Sequence, residues 1–125
     1  MKGDSELIRQ LMLALEASEG PFTAANPIDG FDQSQFAYHL ALIISTGFAA
    51  GKVQYSLGNR DSTIPTVAIA FRLTPEGHDF IDTIRDETIW NRTKQKVATV
   101  GGSVSIDVLK EVATALAKSA LGVHS

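Results

Sequence analysis

The residue order predicts an α+β fold: a winged helix-turn-helix-like core of helices plus a two-stranded wing, with a helical C-terminal extension. Three observations carry this. Two amphipathic helical stretches precede residue 47; two alternating segments joined by a polar turn follow, over residues 52–73; further helical periodicity then runs to the C-terminus. The order helix, loop, helix, hairpin, helix is that of a winged helix whose middle helix is shortened or replaced by the loop over residues 21–30. The core is expected over residues 1–85. Residues 86–125 form the extension, packed on that core or on a partner subunit.

The first helix is expected from Asp4 to Ala17. Asp4 can accept from free backbone N–H groups as N-cap, and Leu7, Ile8, Leu11, Met12 and Leu15 recur on one face. Gly20-Pro21 should end it. The stretch PFTAANPIDG reads as a loop with room for one short strand or turn.

The second helix, Gln33 to Thr46, has matching signals at both ends. Asp32 with Gln35 makes a capping box, and Gly47 followed by Phe48 supplies a left-handed stop with an apolar residue that folds back. Phe36, Leu40, Ile43 and Ile44 form its apolar stripe, with Tyr38, His39 and Ser45 off it. The hairpin comes next. Val53, Tyr55 and Leu57 share one side of the first strand, and residues 58–62 (GNRDS) are turn chemistry. In the second strand, Val67, Ile69, Phe71 and Leu73 should point inward and Thr66, Ala68, Ala70 and Arg72 outward.

Thr74-Pro75 opens the third helix, threonine as cap and proline at the first helical position. Phe80, Ile81 and Ile84 pack, while Asp79, Asp82, Arg85 and Asp86 face water. A bend near Asp86-Glu87 leads to a continuation carrying Ile89, Trp90, Thr93 and Val97. Gly101-Gly102 is a hinge or tight turn, and Ser103 or Ser105 caps a last helix from about Ile106 to Leu121. More than half the circumference of that helix is apolar, so it must bury two sides.

The chain has 125 residues, a hydrophobic fraction of 44% and a charged fraction of 20%, which suits one soluble domain. It has no cysteine, so disulfides, thiolate nucleophiles and sulfur-ligated zinc are excluded. The first six residues carry two acids where a signal peptide would be basic, and the apolar runs are too short for a membrane span, so a cytoplasmic location is expected. Eleven basic against fourteen acidic residues give a net charge of −3. Phosphate neutralisation supplies most non-specific nucleic-acid affinity, so a DNA binder of this composition must gather its cations on one face.

Gly30-Phe31-Asp32, Tyr38-His39-Leu40, Gly47-Phe48, the run from Arg72-Leu73-Thr74-Pro75-Glu76-Gly77 through Asp82, Arg85-Asp86, Trp90-Asn91 and Gly102-Ser103-Val104-Ser105 with Val108-Leu109-Lys110 span nearly the whole chain. In this combination the sequence resembles the bacterial and prophage domain-of-unknown-function family numbered twenty-five thirteen. Pro75 stands where relatives are expected to carry tryptophan, which leaves the capping logic intact. The resemblance implies a small, phage- or prophage-associated protein with a winged-helix-like fold, and no assigned activity, catalytic residue or cofactor.

The candidate DNA-binding set is Gln33, Ser34, Gln35, Tyr38 and His39 on the second helix with Lys52 and Arg60 on the wing. Glutamine pairs with adenine edges, hydroxyls and imidazole reach bases or phosphates, and a wing arginine can enter a minor groove. Against this, the helix holds no Arg or Lys. The cluster Arg92, Lys94 and Lys96 reads as a solvated helix end suited to the negative C-terminal dipole. The candidate oligomer interface is Trp90, Leu109, Val112, Leu116 and Ala120.

No metal site is expected: His39, His78 and His124 lack ligand spacing, and His78 with Asp79 and Asp82 is the exposed first turn of a helix. No catalytic constellation, phosphate loop or nucleophile elbow is present, so neither an enzyme nor a cofactor or small-molecule substrate is expected. Two functions compete. One is a DNA-binding, transcription-regulatory protein acting as a homodimer on double-stranded DNA. The other is a protein–protein interaction module with an acidic surface and no DNA binding. A membrane-touching last helix is disfavoured by Asp107, Lys110, Glu111 and Lys118.

Overall fold

A computed structural model describes residues 4–18, 21–23, 32–56, 64–99 and 105–120. The order is α1 (Ser5–Ala17), β1 (Phe22–Thr23), α2 (Gln33–Thr46), β2 (Ala49–Gln54), β3 (Val67–Leu73), α3 (Pro75–Ile84), α4 (Glu87–Ala98) and α5 (Ile106–Ala120). The fold is α+β, a helical body on a wing-like antiparallel hairpin with a C-terminal helix, compatible with a winged helix.

The helix ends follow the capping rules. The Asp4 carboxylate accepts from Glu6 N and Leu7 N at 3.0 and 3.2 Å. Asp32 and Gln35 close their capping box in both directions, at 2.8 and 3.2 Å. Gly47 adopts φ 91°, and Phe48 N–H donates to Ile43 O at 3.1 Å, which stops α2 and buries the Phe48 ring. Thr74 caps α3 through Gly77 N, Asp86 caps α4 through Ile89 N, and Ser105 caps α5 through Val108 N, while Ser103 lies outside the described residues. The expected bend is the break between α3 and α4. Gly20 and Gly101-Gly102 lie outside the described residues.

The room left for a short strand is filled by β1, which pairs antiparallel with β3 (Phe22 with Ala70, Thr23 with Ile69) and makes the sheet three-stranded, in the order β1-β3-β2. The expected facing of β3 is corrected. Ala68 and Ala70 are buried against the helices, Val67 and Ile69 are half-buried on the outer face, and Phe71 is 48% exposed. A register shift explains the change. Ala50 pairs with Arg72 but Gly51 pairs with Ala70, so Phe71 is an extra, unpaired residue and the in–out phase reverses across it. Leu73 therefore still faces inward, as expected. Small inner residues let α2 lie close to the sheet: a Cβ on Gly51 would fall 2.7 Å from Ile44 Cδ1 and overlap the Ile69 carbonyl oxygen.

One core cluster joins Leu7, Leu11, Phe36, Leu40, Phe80 and Ile84 to Trp90, Val97, Leu109 and Ala113. The last two helices thus share the hydrophobic interior of the first part of the chain.

Candidate functional site

Helix α2 is far more enclosed than its amphipathic pattern suggests. Of the candidate DNA-reading residues, Gln33 and Ser34 are exposed on its first turn, Gln35 and Tyr38 are half-buried, and Gln35 is committed to the capping box. His39, expected off the apolar stripe, is 1% exposed and leaves the candidate surface. Its burial is stabilised by two hydrogen bonds. Asp4 N–H donates to Nε2 at 2.7 Å, so Nδ1 carries the proton and donates to Gln35 O at 2.6 Å. Desolvation holds its pKa below the ordinary 6.5. Tyr38 stands edge-on to this imidazole, with centroids 5.3 Å apart. Packing against α1, the sheet and α5 uses up the remaining faces of α2.

Trp90 and Leu109, expected at an oligomer interface, are also corrected to core positions at 2% and 0% exposure. The Trp90 indole Nε1–H donates to Glu6 Oε2 at 3.0 Å, and Lys94 Nζ reaches the same oxygen at 3.1 Å. These contacts pull the Glu6 carboxyl below the usual carboxylate range, the Trp90 hydrogen bond being the larger cause. Val112 and Leu116 are half-buried, and the Ala120 side chain lies outside the described residues. Arg92 and Lys96 are exposed while Lys94 is tucked against Trp90, as their helical spacing implies.

The outer face of the sheet is the surface with a distinct chemistry. Alternation and register place Ala50, Lys52 and Gln54 of β2 beside Arg72, Ile69 and Val67 of β3. Lys52, Gln54 and Arg72 are exposed, and the bulged Phe71 adds an aromatic face. The strands carry two charged residues, Lys52 and Arg72, both cationic, whereas every described acid lies on a helix or is its N-cap. Beside Phe71 and Arg72 a shallow cleft of about 280 Å³ is lined also by Leu15, Glu16, Ser18 and His78. The acid in it, Glu16, is bridged by Arg85 at 2.9 and 2.6 Å, and that guanidinium lowers its pKa. The cationic, partly aromatic character of this end is therefore not cancelled locally. Arg60 lies outside the described residues. The chain reverses at Gly47-Phe48, so both the first turn of α2 and the far end of β2 lead away from that turn.

Sequence reasoning put Lys52 in the site but gave Arg72 only as an outward residue of the second strand and Phe71 as an inward one. The absence of acids from residues 49–57 and 64–73 was a legible signal for this face. The exposure of Phe71 was not, because it follows from the bulge. Among the described residues, no group of three or more His, Cys, Asp or Glu side chains is placed to hold a metal, and no helix is long and apolar enough to cross a membrane.

A family model described as a hypothetical protein (DUF2513) matches residues 2–103. The chain belongs to the DUF2513 family. An uncharacterized protein of Haemophilus influenzae is 33% identical to this DUF2513 chain over 115 residues, covering 90% of this chain and 92% of the relative. No solved structure matches it. The family assignment agrees with the resemblance carried by the motifs, and the Thr74-Pro75 to Asp82 motif is the capped first half of α3.

Proposed function

We propose that this DUF2513 protein is a non-enzymatic, winged-helix nucleic-acid-binding protein with a regulatory role, engaging double-stranded DNA through its wing and outer sheet face. The observation that supports it is the separation of charge: cations alone on the strands, acids on the helices. Lys52 and Arg72 contact phosphates from the outer sheet face, and Arg60, which Asp61 follows, adds a third cation between the two strands in sequence. Base reading through the middle of α2 is not part of this function, because that stretch is enclosed.

A second reading, a protein-binding winged helix, draws support from the exposed Phe71 and the cation-free α2. Fluorescence anisotropy with a labelled duplex of about 25 base pairs separates the two, titrated between about 50 and 200 mM salt. Contacts from Lys52, Arg72 and Arg60 predict a slope of log K against log salt near −2.7, at roughly −0.9 per phosphate neutralised. Lys52→Ala and Arg72→Ala should each reduce that slope by about 1. No duplex binding at the lowest salt, or slopes indifferent to both substitutions, would leave the protein-binding reading in its place.

A further inference from the structure

Helix α5 has two apolar sides, and the fold covers one of them. Ile106, Leu109 and Ala113 are buried in the core and the half-buried Val112 packs against its edge, whereas Val108 is 40% exposed and Ala115 exposed. At 100° per residue, Val108, Val112, Ala115 and Ser119 occupy an arc of about 60° on the outer side. A cleft of about 380 Å³ lined by Asp86, Thr88, Ile89, Arg92 and Leu116 adjoins this strip on its α4 side, where Ile89 and Leu116 widen the apolar surface. The other flank carries Glu111 and Lys118, both exposed, two turns apart and of opposite sign.

We infer that this face binds the same face of a second copy of the chain, with the two α5 helices antiparallel. The charge pattern selects the occupant. A two-fold axis perpendicular to the helices brings like flanks together while reversing their direction, so Glu111 meets the second copy's Lys118 and Lys118 meets its Glu111. The pairing centre then falls between Thr114 and Ala115, where a small side chain permits close approach. A parallel pair would set the Glu111–Lys118 flank against the α4 side with its Asp86 and Arg92, and would lose both Glu111–Lys118 pairs, so exchanging the signs of 111 and 118 together restores only the antiparallel arrangement. The face is distinct from the cationic sheet, so the dimer stands or falls independently of nucleic-acid binding. A short helix pair belongs to the small end of specific interfaces, below about 1,200 Å², the class of weak and reversible contacts.

Sedimentation equilibrium of the full chain from about 1 to 300 µM tests this and should show a reversible monomer–dimer equilibrium. Glu111→Lys and Lys118→Glu should each weaken it about tenfold by placing like charges opposite each other. The double swap Glu111→Lys/Lys118→Glu should restore it, since an antiparallel pair keeps both ion pairs when the signs are exchanged. Both positions are exposed, so far-UV circular dichroism and melting should report an unchanged fold. In this cysteine-free chain, Ala115→Cys should form an intermolecular disulfide under mild oxidation, and Arg72→Cys should not. A monomer at every concentration, a higher oligomer, a dimer indifferent to the single swaps, or a double swap no better than either single would each overturn the pairing.

Discussion

Gly77→Ala sets a local rule against a tertiary one. Gly77 is in the first turn of α3 with no positive φ, so by helix propensity alone alanine should stabilise by up to about 1 kcal/mol. The structure predicts the reverse. A Cβ at this position lies 3.0 Å from the Phe48 carbonyl carbon and 3.3 Å from Leu73 Cδ2, and overlaps the Phe48 carbonyl oxygen outright. That oxygen cannot swing aside, because it accepts from Thr74 N–H at 3.0 Å and belongs to the turn that ends α2. Thr74 Oγ1 also donates to Gly47 O, tying the same two segments together. Relief requires α3 to retreat by roughly 1 Å to regain ordinary contact distances.

Overpacking of this kind costs about 1–3 kcal/mol, and stretching the Thr74–Phe48 hydrogen bond costs about 1 more. With the propensity gain subtracted, the net loss is about 2 kcal/mol, or roughly 8 °C in Tm for a chain of this size. Urea unfolding followed by far-UV circular dichroism measures it, with His78→Ala on the same turn as an exposed control expected within about 0.5 kcal/mol of the parent. A Gly77→Ala protein as stable as the parent, or more so, would refute the claim that α3 is docked on the α2–β2 turn by backbone contact.

Two further outcomes concern titration. Burial lowers the His39 pKa, so the fold prefers the neutral ring: stability is complete above pH 6.5 and falls below it, by up to about 1.4 kcal/mol per pH unit, until the folded protein itself takes up the proton. Urea midpoints from pH 7.5 to 5 measure this, and a flat profile in the parent, or the same slope in His39→Gln, would contradict it. Glu6 has the opposite sense of charge. Its carboxylate stabilises above pH 4.5, and the contribution is lost as pH falls through the lowered folded-state value. Because the Glu6 and Lys94 side chains are each 40% exposed, the effect should stay under about 1 kcal/mol. Fluorescence of Trp90, the single tryptophan, should titrate below pH 4.5 in the parent and stay constant in Glu6→Gln.

Much of the fold was legible because helix ends obey local rules. Asp4, Asp32, Thr74 and Asp86 cap helices through side chains three residues or fewer from their targets, and Gly47 needs only its own φ. The failures are all cases of a side chain's facing being settled by a distant neighbour. His39 sits off the apolar stripe of α2 yet is buried, because Asp4 from α1 supplies the partner that offsets its desolvation. Trp90 could have anchored an interface, but Glu6 from the first helix claims its indole N–H. The alternation of β3 is regular in sequence, and a single bulge at Phe71 turns its alanines inward and its large side chains out.

By itself, then, the sequence determined where α1 and α2 begin and end, where α3 begins, that a hairpin follows α2, and which family the chain belongs to. Those properties depend on neighbours within a few residues or on the pattern as a whole. Tertiary structure alone decided which faces remain open: the cationic outer sheet, the uncovered side of α5 and the enclosed middle of α2. Exposure is set by what packs on a surface, and periodicity separates the polar side of an element from its apolar side without naming the element that will cover either one.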